Sequence, residues 1–117
     1  MISRPGDVVE FAGESLSLHA WRGSGPAALH VHHEDDEAWH VLEGELEFRF
    51  ADRTEVVSAG GTVFVPAGTA HTYAAGSDAR YLIVLTPRLR KLIAELQVTP
   101  ADRHPDVYRS HASELLE

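Results

Sequence analysis

Between residues 8 and 86 the chain is cut by Gly, Pro, Asp and Ser into short segments, and none of them carries an apolar stripe of helical period. A chain divided this way cannot supply the crossover helices that parallel strands require, so its strands must pair through hairpins in a sandwich or barrel. The clearest segment is 45–50, where strict alternation sets Leu46, Phe48 and Phe50 on one face and Glu45, Glu47 and Arg49 on the other. Residues 51–54 read as the turn that follows. Further strands are expected at 15–21, 28–32, 36–42, 55–57, 62–65, 71–74 and 80–85.

The pattern changes at Thr86-Pro87, a capping residue followed by proline at the first helical position. Leu89, Leu92, Ile93 and Leu96 then recur at helical offsets, which predicts an amphipathic helix over 87–97. A second, weaker helix is expected between Pro105 and Leu116. The predicted organisation is therefore one domain over 1–117, all-β, with a barrel core over about 8–86 and a helical segment over 87–117. Both helices are expected on the outside of the barrel or against a partner subunit.

The charge balance narrows the partners. With 10 basic and 18 acidic residues the net charge is -8, and no Lys or Arg run exists that could track a phosphate backbone. This argues against nucleic acid, and the same acidity would repel an anionic membrane surface. Arg22, Arg49, Arg53 and Arg80 are unranked candidates for holding a small anion. The chain has no cysteine, which removes disulfides, thiolate metal sites and cysteine nucleophiles together and fits a cytoplasmic protein. Its first twenty residues lack an apolar signal core, and the longest strongly apolar stretch, 81–85, is far too short to span a bilayer.

Chemistry concentrates in two motifs. His30, His32, Glu37 and Gly44 form H-x-H-x4-E-x6-G, and Gly60, Pro66, Gly68 and His71 form G-x5-P-x-G-x2-H. Residues two apart on a strand point to the same side, so His30 and His32 can aim two imidazoles at one point, while His33 faces elsewhere. Glu37 opens the next strand, and His71 follows a Pro-Gly turn that brings a donor from another. Three imidazoles and one carboxylate make a nitrogen and oxygen site suited to one divalent transition metal, Mn, Fe, Co, Ni, Cu or Zn, and poorly suited to Ca or Mg.

These residues resemble the two motifs of the cupin family, in a short single-domain form, over roughly residues 25–85. The resemblance implies a double-stranded β-helix of jelly-roll kind, with His30, His32, Glu37 and His71 as ligands pointing into the barrel. Two departures stand out. Neither Gly23 nor Gly25 has the family's usual spacing before the first histidine, and Ala75 stands where the family often has an asparagine that is not a ligand. Four protein ligands leave positions open on an octahedral ion. The resemblance therefore implies a metal-dependent enzyme acting on a small organic molecule, most simply a dioxygenase similar to the quercetinase-like cupins, with Glu37 also available as a catalytic base. The retained glutamate argues against the thiol dioxygenase branch. The alternatives are a non-catalytic small-molecule binder or sensor and a redox-neutral isomerase or lyase. A homodimer is expected from the same resemblance.

Around the motifs, Trp39 shares the face of Glu37 and Tyr73 that of His71. With Phe48 they are read as barrel core that also walls an apolar substrate pocket. Asp36 is the nearest carboxylate that could replace Glu37. His33 and His40 fall at odd offsets and are read as surface residues, and His19 as structural.

Overall fold

The computed structural model describes residues 1–117 and holds ten strands. They are β1 (Glu10–Ala12), β2 (Ser17–Trp21), β3 (His30–His32), β4 (Glu37–Glu43), β5 (Glu45–Phe50), β6 (Thr54–Ser58), β7 (Thr62–Val65), β8 (His71–Ala75), β9 (Arg80–Leu85) and β10 (Ser113–Leu115). Strand burial alternates where the sequence alternates. In β4 Glu37, Trp39 and Val41 are buried, and in β9 Tyr81, Ile83 and Leu85 are buried. The inward side chains of two antiparallel sheets meet in one core, including Trp39, Val41, Leu46, Phe48, Ile83 and Leu85.

The first sheet runs β1-β2-β9-β4-β7 and the second β10-β3-β8-β5-β6. Apart from the adjacent pairs β1-β2 and β5-β6, successive strands alternate between them in the double-stranded arrangement expected of a jelly roll. The tight turn between β4 and β5 rests on Gly44, whose φ of 67° is left-handed and whose missing Cβ would lie 2.9 Å from Ala79 Cα.

Helix α1 (Pro87–Gln97) has the expected bounds. Thr86 Oγ1 accepts the Leu89 N–H at 3.2 Å, Pro87 starts the first turn, and Leu89 and Leu92 are buried. Each of these leucines contributes about 1.5–3 kcal/mol by leaving water, which stabilises a helix too short to persist alone. Beyond the end of α1 its last turn is met by the His104 side chain, whose Nε2 lies 3.1 Å from Leu96 O and 2.9 Å from Thr99 O. Two carbonyls can only accept, so that nitrogen carries the proton and satisfies the last turn.

The C-terminal segment corrects the expectation of a helix reaching Leu116. A single 3₁₀ turn, Ala101–Arg103, leads into a short α2 (His104–Ser110), and Ala112 at φ 52° turns the chain into β10. That strand pairs with β3, setting Ser113 opposite His32 and Leu115 opposite His30. Residues 87–117 are thus helical only in part, and the sheet work extends past residue 86. Three alternating residues are too few to outweigh the helical character of what precedes them, so β10 has no signal of its own. No helix is long and apolar enough to cross a membrane.

Candidate metal centre

Strand β3 is buried along its whole length, and its register places His30 directly opposite His71 on β8. His30, His32 and His71 are 4%, 6% and 1% exposed, and one ring nitrogen of each lies within 4.8 Å of the others. All three come from the second sheet. Glu37, 6% exposed, projects from β4 of the first, with Oε1 3.1 Å from His71 Nε2 and 3.3 Å from His32 Nε2. The Pro66–Gly68 turn is tied to the site because Gly68, at φ 90°, donates its N–H to His32 O at 2.7 Å. Asp36 Oδ1 accepts the Ala67 N–H at 2.8 Å and so holds the same turn, away from the histidine cluster.

The other ring nitrogens settle the proton positions. His30 Nδ1 lies 2.9 Å from Ala28 O and His71 Nδ1 3.0 Å from Thr69 O, and carbonyls only accept. Ser113 Oγ gives its one proton to His111 O at 3.0 Å and therefore accepts from His32 Nδ1 at 2.7 Å. All three rings are thus Nδ1–H donors. In their neutral form each turns the Nε2 lone pair toward the cluster, the arrangement that metal-binding histidines adopt.

A carboxylate oxygen 3.1 Å from an imidazole lone pair is repulsive unless a cation, proton or metal, lies between them. A first-row ion bound at about 2.1 Å by two adjacent donors separates those donors by roughly 3.0–3.4 Å, from octahedral to tetrahedral. The two Glu37 contacts fall in that range, so the donor set fits a transition metal.

Burial holds His30 down at about 4, with His71 and His32 adding to the effect, so it stays neutral. Burial alone would raise Glu37, but its contacts to His32 and His71 outweigh this and hold it at about 2. The carboxylate is therefore ionised.

His30, His32, Glu37 and His71 line a small inner cavity of about 30 Å³. Trp39 and Tyr73 line it as well, whereas Phe48 is fully buried behind them, stacked 5.4 Å from Tyr73 and edge-on at 4.9 Å to Trp39. Beyond it lies a chamber of about 590 Å³, sharing Pro26, Tyr73, Ile93, Leu96 and Tyr108 with the inner cavity. The two helices, expected outside the barrel, therefore wall the site.

Inside the chamber the hydroxyl order is fixed. Tyr81 donates to Gly23 O at 2.7 Å, so across the 2.8 Å contact Tyr73 must donate to Tyr81. The Tyr73 oxygen is left as an acceptor, and burial foremost raises Tyr73 so that it keeps its proton. Gly25 lets the entry loop close on this ring, since an added Cβ would sit 2.8 Å from Tyr73 Cδ1. The buried Trp39 Nε1–H has no protein acceptor, although Tyr73 is its nearest neighbour ring among the tyrosines at 5.4 Å.

The sequence motifs name the three clustered histidines and the neighbouring Glu37 but miss Ser113, Tyr108, Tyr81 and the helix residues of the wall. Of the other histidines, His33 faces Glu114 on the surface and His40 bonds Thr62 Oγ1 at 2.8 Å. His19 sits between Glu10 Oε1 at 2.6 Å and Ser17 Oγ at 2.8 Å, in the order of a serine relay. Ser17 is 1% exposed and lines neither cavity, so no carbonyl substrate reaches it and the trio is structural. Arg49 pairs with Glu117, and Arg53 with Asp52 and Glu55, all on the surface. Arg22 and Arg80 line neither cavity.

The Cupin domain family profile matches residues 18–86, more than half of the chain. The protein belongs to the cupin family. Comparison with curated proteins returns no match. Among solved structures, this cupin is similar to a cupin-2 domain containing protein from Shewanella frigidimarina, at 25% identity and a TM-score of 0.54, covering 68% of this chain and 76% of that one. It is similar to TT1209 from Thermus thermophilus, at 27% identity and a TM-score of 0.54, covering 72% and 87%. KdgF from Halomonas, at 22% identity and a TM-score of 0.56 over 74% and 85%, shares the fold. The cupin barrel expected from the motifs is thus present, with a three-histidine group positioned to bind a metal ion.

Proposed function

We propose that this cupin is a metal-dependent enzyme of dioxygenase type acting on a small, mainly apolar organic molecule, with His30, His32, Glu37 and His71 as the metal ligands. The observation that carries the reading is the convergence of three imidazole Nε2 atoms and one ionised carboxylate at the inner end of an apolar chamber.

Bound there, a divalent transition metal would supply Lewis acidity and, if redox-active, electrons for dioxygen chemistry. The protein's own groups do the rest. Tyr108, Ile93 and Leu96 exclude water and press an apolar ligand toward the histidines. Tyr73 offers an acceptor oxygen, favouring a ligand that carries a hydroxyl or N–H. Glu37 is the one carboxylate lining the inner cavity and so the group that can take a proton from a ligand there, once a contact to His32 or His71 is given up.

Metal analysis of the purified protein, followed by oxygen-electrode assays with catechols, flavonols and diketones, tests the reading. Oxygen uptake stoichiometric with substrate loss is the expected result. Substrate conversion without oxygen uptake would replace it with a redox-neutral isomerase or lyase, and saturable binding without conversion with a binding protein.

A further inference from the structure

We infer that Tyr108 is a specificity-determining residue of this site, its phenol donating a hydrogen bond to a carbonyl oxygen of a neutral, mainly apolar ligand. The inference rests on the reading of the histidine cluster and its chamber as a ligand site. Tyr108 lies on α2, beyond the residues 18–86 that the family profile matches, so it belongs to this chain's own C-terminal segment and to neither motif.

Three of the residues lining the chamber are buried, and they are the chain's three tyrosines, Tyr73, Tyr81 and Tyr108. Two of their protons are engaged, Tyr73 donating to Tyr81 and Tyr81 to Gly23 O. The His104 Nε2 proton is engaged as well, on Leu96 O and Thr99 O. Tyr108 is 2% exposed, yet its hydroxyl bonds to no protein group. The only buried side-chain atoms sealed away without a partner are Asp35 Oδ2 and Trp39 Nε1, so the Tyr108 oxygen is open to the space that its residue lines. That space comprises both the chamber and the inner cavity, and the Tyr108 ring stands 5.5 Å from that of His30.

A buried O–H left without an acceptor is costly. Once a ligand has expelled water from this space, the acceptor must therefore be an atom of the ligand. A phenol holds its proton at neutral pH, and burial, with the Glu37 charge adding to it, raises Tyr108 to about 12.

Charge narrows the class further. None of the 15 residues lining the chamber is Lys, Arg, Asp or Glu, so a charged group lodged there would lose its water without gaining a counter-ion. Tyr73 lines the same two cavities and has only its acceptor lone pair left. One phenol that donates and one that accepts match a neutral hydroxyketone.

Fluorescence titration of the full chain with 2-acetylnaphthalene, with 2-ethylnaphthalene, which has the same shape without the oxygen, and with 2-naphthoate tests this. Tyr108→Phe keeps the ring and breaks no hydrogen bond within the protein, so its melting midpoint and metal content should match the wild type. Its affinity for the ketone should fall about 5-fold, the worth of one hydrogen bond, with affinity for the hydrocarbon unchanged. The wild type gives a check that needs no variant. A chamber without a free donor favours the hydrocarbon, because burying an unpaired carbonyl is unfavourable. A wild type that prefers 2-ethylnaphthalene therefore overturns the inference, as does a folded Tyr108→Phe protein that binds both probes as before or loses both equally. Naphthoate binding tighter than ketone binding overturns the assignment of a neutral ligand. Failure of all three probes to bind the folded, metal-loaded protein instead removes the ligand-site reading itself.

Discussion

Glu37 Oε1 lies 3.1 Å from His71 Nε2, although His71 already donates its Nδ1 proton to Thr69 O. Whatever bridges the two must be positively charged, and a metal entering the site displaces any proton held there. Calorimetric titration of metal-free protein with Zn²⁺ or Mn²⁺ in two buffers of different ionisation enthalpy should therefore report proton release near neutral pH. Equal heats in both buffers would contradict this account of the site.

Replacing His32 or His71 with Ala removes one of few candidate donors and leaves buried Glu37 with one polar neighbour fewer. Metal affinity should fall by more than about 100-fold, beyond what loss of a supporting contact costs. Elemental analysis after equal metal exposure checks it, and unchanged occupancy would remove these rings from the ligand set.

Ser113→Ala should weaken metal binding by about 10–100-fold while leaving all four donors in place, because the hydroxyl that fixes the His32 ring is gone. The loss of that hydrogen bond should also cost on the order of 1 kcal/mol of stability. Ser113→Thr, which retains the hydroxyl, should recover most of the affinity.

Acid should destabilise the metal-free protein in two stages. His30 sits at about 4 in the fold against 6.5 when exposed, so below pH 6.5 the unfolded chain takes up a proton that the fold refuses. Glu37 sits at about 2 against 4.5, which adds a second loss as pH falls from 4.5 toward 2. Stability is thus fully present above pH 6.5 and declines below it, with His30 alone worth on the order of 3 kcal/mol by pH 4. Thermal melts of metal-free protein at pH 7, 5.5 and 4 should show falling midpoints, and a flat profile would contradict the assignment.

Tyr73→Phe removes the acceptor oxygen and leaves Tyr81 without its donor. Stability should drop by about 1 kcal/mol. Affinity for a hydroxylated aromatic probe should fall several-fold further than for the same ring without the hydroxyl. Equal losses for both probes would place the ligand elsewhere in the chamber.

Much of this was legible in the residues because periodicity reports burial directly. Strands β5, β7 and β9 and helix α1 have the bounds that alternation and the Thr86-Pro87 cap predict. The spacing of His30, His32 and His71 likewise anticipates the three-histidine group, beside which Glu37 lies. What stayed hidden was long-range pairing. Nothing near Ser113 announces a strand, since its partner is 81 residues away, and nothing in α1 says that Ile93 and Leu96 face a cavity and not another helix. Phe48 shows the reverse error, because sharing a face with the site places a side chain in the core without deciding whether another ring stands in front of it.

The link between His32 and Ser113 also orders events during folding. Closing so long a loop is slow compared with forming the hairpins it encloses. Before that closure His32 can turn either nitrogen inward, and the cluster is not yet a receptor of defined handedness. A cation meeting the chain before that closure would find His32 unfixed, so any high metal affinity depends on the pairing of β3 with β10.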